Sequence, residues 1–165
     1  MVADLKYREM RPDEIQQVSD MVKAVFDQFV APGFSQQGVC EFYKYVQPER
    51  ILQRLQEDLS FILLAENLGN MGNGDKKIVG VIEMKRACHV ALLFTDGNYH
   101  RLGVAKTLFQ LSLDKLRATG LKVNICTVNS SPYAVEAYKR LGFCPTKCEQ
   151  EKYGVRFVPM EIFFV

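Results

Sequence analysis

Arg101, Gly103 and Lys106 fall within one stretch, Leu92-Leu93-Phe94-Thr95-Asp96-Gly97-Asn98-Tyr99-His100-Arg101-Leu102-Gly103-Val104-Ala105-Lys106, whose chemistry is that of an anion site. A turn ahead of a helix leaves several consecutive N–H groups without intrahelical acceptors. Such an end attracts phosphate, and a glycine lets the phosphate come close to the backbone. Arg101 and Lys106 add positive charge beside it. The alternative is an ordinary strand-to-helix turn with a glycine kept for packing. Other clusters fall away. The five cysteines, Cys40, Cys88, Cys126, Cys144 and Cys148, are an odd number. Their one close pair, Cys144 and Cys148, has neither zinc-knuckle nor Cys-x-x-Cys spacing, and His89 and His100 lie far from it in sequence. No metal is predicted, and the thiols are expected to be buried and free in a reducing compartment. Gly69, Gly72 and Gly74 open no helix, so they do not form a dinucleotide loop.

The elements that must position this junction can be read from periodicity and turn residues. A strand is predicted over residues 5–10. A helix follows it, opened by Pro12-Asp13-Glu14 and striped by Ile15, Val18, Val22, Val25 and Phe29. A second helical stretch covers about 35–58 with a break at Pro48. Strands are predicted over 61–66, 77–85 and 88–95, with a hairpin loop over 67–75. A helix over 103–119, a strand over 123–128 and a helix from Ser131-Pro132 to Gly142 come next. Strands over 143–148 and 155–165 complete the chain. The fold class is therefore mixed α/β (α+β), a single domain over 1–165. It holds a largely antiparallel seven-stranded sheet flanked by about four helices.

Composition narrows the function classes. With 165 residues, 48% hydrophobic and 24% charged, the chain suits one domain with a core that needs no staple. There are 21 Lys+Arg against 19 Asp+Glu with the signs interspersed, which argues against a nucleic-acid partner. No apolar run approaches the ~20 residues that span a bilayer. The opening Met-Val-Ala-Asp-Leu-Lys is charged at once, unlike a signal peptide. The expectation is a cytoplasmic protein with no membrane partner, as a monomer or homodimer.

One strand after the junction comes Asn129-Ser-Ser-Pro-Tyr-Ala-Val-Glu-Ala-Tyr138-Lys-Arg-Leu-Gly142-Phe143. With His100-Arg-Leu-Gly103-Val-Ala105 it resembles the two signature motifs of the GNAT superfamily of acetyl-CoA-dependent N-acetyltransferases. The family loop reads Gln/Arg-x-x-Gly-x-Gly/Ala, and this chain departs from it only in placing His100 first. The resemblance covers nearly the whole chain. It implies acetyl-CoA as cosubstrate, lying where the strands over 88–95 and 123–128 splay apart. It implies that the pyrophosphate rests on the loop of His100, Arg101, Leu102, Gly103, Val104, Ala105 and Lys106. The pantetheine arm would pair with Leu93, Phe94 and Thr95. A bulge in that strand would aim the N–H of Phe94 or Thr95 at the thioester carbonyl, as an oxyanion donor worth about 3 kcal/mol.

The reaction so implied has one physical obstacle. An alkyl amine of pKa ~10.4 is mostly ammonium at neutral pH, and freeing it costs roughly 4.6 kcal/mol unless a base helps. By loop spacing, His89 matches the position where several family members carry a base. Glu83 on the preceding strand is the rival, ordered water is the third possibility, and a half-buried structural histidine is the plain alternative. Tyr138 matches the tyrosine that protonates the departing thiolate; its alternative is core packing. Asn129 would bond the pantetheine or simply shape a turn. Phe26, Phe29, Phe34, Phe42, Tyr43, Tyr45, Tyr153 and Phe157 are candidates for framing the acceptor. The leading expectation is N-acetylation of a primary amine by direct attack. The alternative from another class is a catalytically weak CoA-binding sensor or interaction module. A nucleotide-dependent oxidoreductase is disfavoured, since no glycine fingerprint follows the first strand.

Overall fold

The computed structural model describes residues 4–69 and 76–165. Most of the hairpin loop expected over 67–75 therefore lies outside the described residues. The chain runs β1 (Leu5–Glu9), α1 (Ile15–Phe29), α2 (Gln36–Tyr45), α3 (Pro48–Glu57), β2 (Phe61–Asn67), β3 (Lys77–Lys85) and β4 (His89–Thr95). It continues through α4 (Val104–Ala118), β5 (Ile125–Ser130), α5 (Val135–Leu141), β6 (Cys144–Pro145), β7 (Gln150–Lys152) and β8 (Val155–Phe163). The strands form one sheet in the order β1-β2-β3-β4-β5-β8-β6, with β7 paired to β8.

Local chemistry sets most of these boundaries. Pro12 opens a short 3-10 turn ahead of α1, and the Glu14 carboxylate accepts the Arg11 backbone N–H at 2.8 Å. Pro48 holds Gln47 in an extended conformation and occupies the first turn of α3, as the residue before a proline is driven out of the helical region. The stretch expected as one broken helical run is thus two helices, which gives five among the described residues rather than about four. Among the described residues eight strands replace the expected seven, because residues 150–152, which no expected strand covered, pair with β8 as β7. The chain then turns into the β7–β8 hairpin, where Lys152 faces Val155 across the two-residue loop Tyr153-Gly154. Both loop residues have positive φ, 53° and 79°, the signature of a type I′ hairpin turn.

Two apolar layers sandwich the sheet. On one side Val104, Leu108, Leu113 and Leu116 of α4 pack on Leu63, Ile82, Met84 and Val90. On the other, Val18 and Val22 of α1 and Ile51 of α3 pack on Ile62, Leu64, Val81 and Leu92. Burial of the thiols holds for Cys88 and Cys126 only; Cys40, Cys144 and Cys148 are exposed. Among the described residues no helix is long and apolar enough to cross a membrane.

The feature that positions the site is the joint between β4 and β5. Among the described residues it is the one parallel pairing in the sheet, and it lasts for two residue pairs, His89 with Thr127 and Val90 with Val128. On its other edge β5 pairs with β8 over all six of its residues, Thr127 and Val128 included. β4 keeps β3 on its own outer edge up to Thr95, and past Val90 and Val128 no pair joins β4 to β5, so the two strands part.

Candidate active site

The parting strands open a cleft of about 1560 Å³ between the β4–α4 junction, the start of α5, the α1–α2 region and the β7–β8 hairpin. Its floor is the free edge of β4, and the register decides which backbone groups face it. The Asp96 N–H donates to the Val79 carbonyl, and β3 and β4 pair Thr95 with Gly80, Phe94 with Val81, Leu93 with Ile82 and Leu92 with Glu83. Hydrogen-bonded and non-bonded pairs alternate along an antiparallel ladder. Phe94 and Leu92 therefore spend their backbone groups on β3, whereas Leu93 and Thr95 turn theirs toward the gap. This corrects the expectation of Phe94 as a donor. The bulge also sits earlier than expected: β3 steps from Glu83 to Met84 while β4 steps from Leu92 to Val90, leaving Ala91 as the extra residue.

At the mouth of the gap, Arg101 and Gly103 both have positive φ, 62° and 80°, and α4 begins at Val104. The first α4 carbonyl bond is Thr107 N–H to Gly103. Among the described residues, the N–H groups of Arg101, Leu102, Gly103, Val104, Ala105 and Lys106 have no backbone acceptor, and no side chain caps the helix. Consecutive unspent donors at a helix start, with left-handed residues among them, are the makings of an anion-binding nest. A Cβ on Gly103 would meet nothing within 4 Å, so the loop is open there. His100 does not join this array. Its N–H donates to Gly97 within the preceding 3-10 turn, and its Nε2 lies 2.8 Å from the Thr95 carbonyl. A carbonyl only accepts, so Nε2 carries a proton and the ring braces the end of β4. Leu102 is 60% exposed and does not line the cleft.

His89, Asn129 and Tyr138 all line the cleft. The His89 Nδ1 is 2.8 Å from the Thr127 hydroxyl, which orients the ring within the two pairs that join β4 to β5. Burial, and secondly the Lys85 cation, hold its pKa below the usual imidazole value, so the ring is neutral at neutral pH and able to take up a proton. Tyr138 is nearly buried, packed edge-on against Phe143 at 5.4 Å. Burial pushes its phenol pKa well up, so the hydroxyl keeps its proton. Asn129 stands at the end of β5, opposite Pro159. Glu83 lies elsewhere. It is fully buried beneath α3, held by Arg54 Nε and Nη2 at 2.8 Å each and by the Ser60 hydroxyl at 3.1 Å. It does not line the cleft.

The aromatic candidates divide in the same way. Phe26, Phe29, Phe34, Phe42, Tyr45, Tyr153 and Phe157 line the cleft; Tyr43 points away and donates to Asp27 at 2.6 Å. Phe29 joins the two sides of the gap, with its ring 4.8 Å from His100 and 5.4 Å from Tyr133. Gly97 leaves room for it, since a Cβ there would come within 2.9 Å of the Phe29 ring. Tyr133 went unremarked at the sequence level, and its place directly after Pro132 in the second motif was the available signal.

Known structures share this fold. A GCN5-related N-acetyltransferase from Rhodopseudomonas palustris superposes with TM-score 0.76 at 19% identity, covering 99% of each chain. The PaiA N-acetyltransferase from Thermoplasma acidophilum, solved with coenzyme A, gives 0.73 at 17% identity over 98% of this chain and 99% of its own. A GNAT-family acetyltransferase from Staphylococcus aureus gives 0.69 at 15% over 96% and 98%. No curated protein matches the sequence. These likenesses establish the fold, and the family model described as "Acetyltransferase (GNAT) domain" matches residues 30–164 of the chain itself. The parted strands, the open N–H array and this match lead to one conclusion: the chain belongs to the GNAT acetyltransferase family.

Proposed function

We propose that the protein is an N-acetyltransferase that moves the acetyl group of acetyl-CoA onto a primary amine in a direct-attack ternary complex. The observation that carries this reading is the adjacency of the β4–β5 gap and the six unspent N–H groups of residues 101–106. A pyrophosphate suits such an array, with Arg101 and Lys106 adding cationic charge. A pantetheine arm, which carries amides, suits the free backbone groups of Leu93 and Thr95. The Thr95 carbonyl is already spent on His100, so Leu93 offers both a donor and an acceptor and Thr95 offers its N–H.

In this reading the amine nitrogen attacks the thioester carbonyl carbon. The resulting oxyanion is met by an N–H on the free β4 edge, and the C–S bond then breaks. His89, neutral at working pH, takes the proton that the ammonium must lose, directly or through water. Tyr138 gives its proton to the departing thiolate. Glu83 is disfavoured as the base because its carboxylate oxygens are engaged by a guanidinium and a hydroxyl away from the cleft. Asn129 stands where it can orient the arm.

The test is a panel of primary amines with acetyl-CoA, read as free-thiol release, with acetylated products identified by mass. Amine-dependent thiol release with a product heavier by one acetyl group supports the reading. Tight CoA binding with no acetylated product from any amine overturns it and favours a binding module.

A further inference from the structure

Resting on that reading, we infer that the acceptor is a monoamine carried on an aromatic body, rather than a diamine, a polyamine or a strongly cationic peptide. Two independent features of the cleft carry this. The first is its wall. Phe42 of α2 stacks on the fully buried Phe26, centroids 3.9 Å apart and rings 11° from parallel. Phe34 meets Phe26 edge-on at 5.6 Å, and Phe94 of β4 lies 5.7 Å from Phe42. Phe34, Phe42 and Phe94 are only half-buried and line the cleft. The result is a concave aromatic surface, fixed from behind by the core. A bound aromatic ring has edge and face partners there.

The second feature is charge. Among the described residues, the carboxylates lining the cleft are Glu41 and Glu136. Glu41 is paired with Lys44 at 2.7 Å and Glu136 with Lys139 at 2.8 Å. Arg101, Lys106, Arg140 and Lys152 line the same cleft, as does Arg156, which is itself paired with Glu149 at 2.9 Å. An acceptor loses the charge of its reacting ammonium during the reaction, so that nitrogen needs no permanent counter-ion. A second ammonium would stay charged and find no uncommitted carboxylate, and leaving a cation unpaired in an apolar cleft is costly. The same wall helps the chemistry, since desolvation lowers the pKa of the one amine that reacts.

The experiment compares kcat/KM for 2-phenylethylamine, n-butylamine and spermidine at saturating acetyl-CoA. The expected result is 2-phenylethylamine at least tenfold above both others. Spermidine equal to or better than 2-phenylethylamine overturns the charge argument, and n-butylamine equal to it overturns the aromatic one. In either case amine-dependent thiol release still upholds N-acetylation. Thiol release with none of the three, nor with any amine of the wider panel, overturns N-acetylation and this inference with it. As a converse test, Phe34→Glu places a carboxylate on the half-exposed wall, with CoA binding measured to establish that the variant is folded. It should move the spermidine to 2-phenylethylamine ratio at least tenfold toward spermidine. An unchanged ratio overturns the inference.

Discussion

A side chain at position 103 would project into open space at the start of α4, which makes Gly103→Asp an informative change. Aspartate tolerates left-handed backbone better than most residues, so the fold should persist. The new charge would stand beside the unspent N–H groups, where a like charge next to a pyrophosphate costs several kcal/mol at about 4 Å. Calorimetric titration should show CoA affinity reduced by about 100-fold or more. His89 and Tyr138 divide along their protonation states. His89→Ala should lower kcat/KM at neutral pH by roughly 100-fold, with the loss shrinking as pH rises and free amine accumulates. Because burial depresses the His89 pKa, the parent should hold its rate down to below the ordinary imidazole pKa before protonation removes the base. Tyr138→Phe keeps the ring against Phe143 and should lower kcat at every pH while acetyl-CoA still binds. Parallel pH–rate profiles within about threefold of the parent would remove both residues from the mechanism.

At the scale of elements, α3 is held to β3 by one buried ion pair. The Arg54 side chain is 10% exposed and that of Glu83 0%, and Arg54 also donates to the Tyr45 carbonyl at 2.7 Å. Removing one partner strands the other charge, at a cost of about 3–5 kcal/mol. Arg54→Met should lose that much in urea unfolding. Glu83→Gln should lose stability too, with its folded fraction still active; a drop in kcat at unchanged stability would instead restore Glu83 as a base. A second contact sets the roof of the acceptor end. A Cβ at Gly38 would lie 2.1 Å from the Gly154 carbonyl oxygen, so the start of α2 touches the β7–β8 turn backbone to backbone. Gly38→Ala must push that hairpin outward, costing about 1–3 kcal/mol. It should raise KM for the amine while leaving CoA affinity near that of the parent, as steady-state kinetics and calorimetry on one preparation will show.

For the molecule as a whole, acid stability is concentrated at the β1 edge. Arg8 bridges Glu14 at 2.6 Å and Glu66 at 2.8 Å, with all three side chains largely buried. The Arg8 guanidinium, helped by the Arg11 N–H and opposed by burial, holds the Glu14 pKa down to about 2, against an ordinary 4.5. Its folded pKa lies below the unfolded one, so the stabilisation is complete above about pH 4.5 and drains away toward pH 2. Thermal melts should show Tm falling through that window. Glu14→Gln should lower Tm at pH 7 and flatten the decline; an equally steep decline in the variant would place the acid sensitivity elsewhere.

The sequence by itself determined whatever a few neighbouring residues dictate through their own torsions and hydrogen bonds. Pro12 and Pro48 fix where helices begin, and Gly142, at φ 104°, ends α5 in the left-handed conformation few other residues accept. Gly103 and the residues around it could be read as an open helix start because the orphan N–H groups are a local property. Tertiary structure decided the rest. Arg54 and Glu83 are 29 residues apart, and nothing in either neighbourhood says that they meet. That β4 and β5 part after two pairs is a relation between strands distant in the chain, each already held on its other edge, β4 by β3 and β5 by β8. Which β4 amides face the gap depends on a bulge at Ala91 and on the register with β3. Residue types specify what a strand can do, but the partner across the sheet specifies which of its backbone groups remain free to do it.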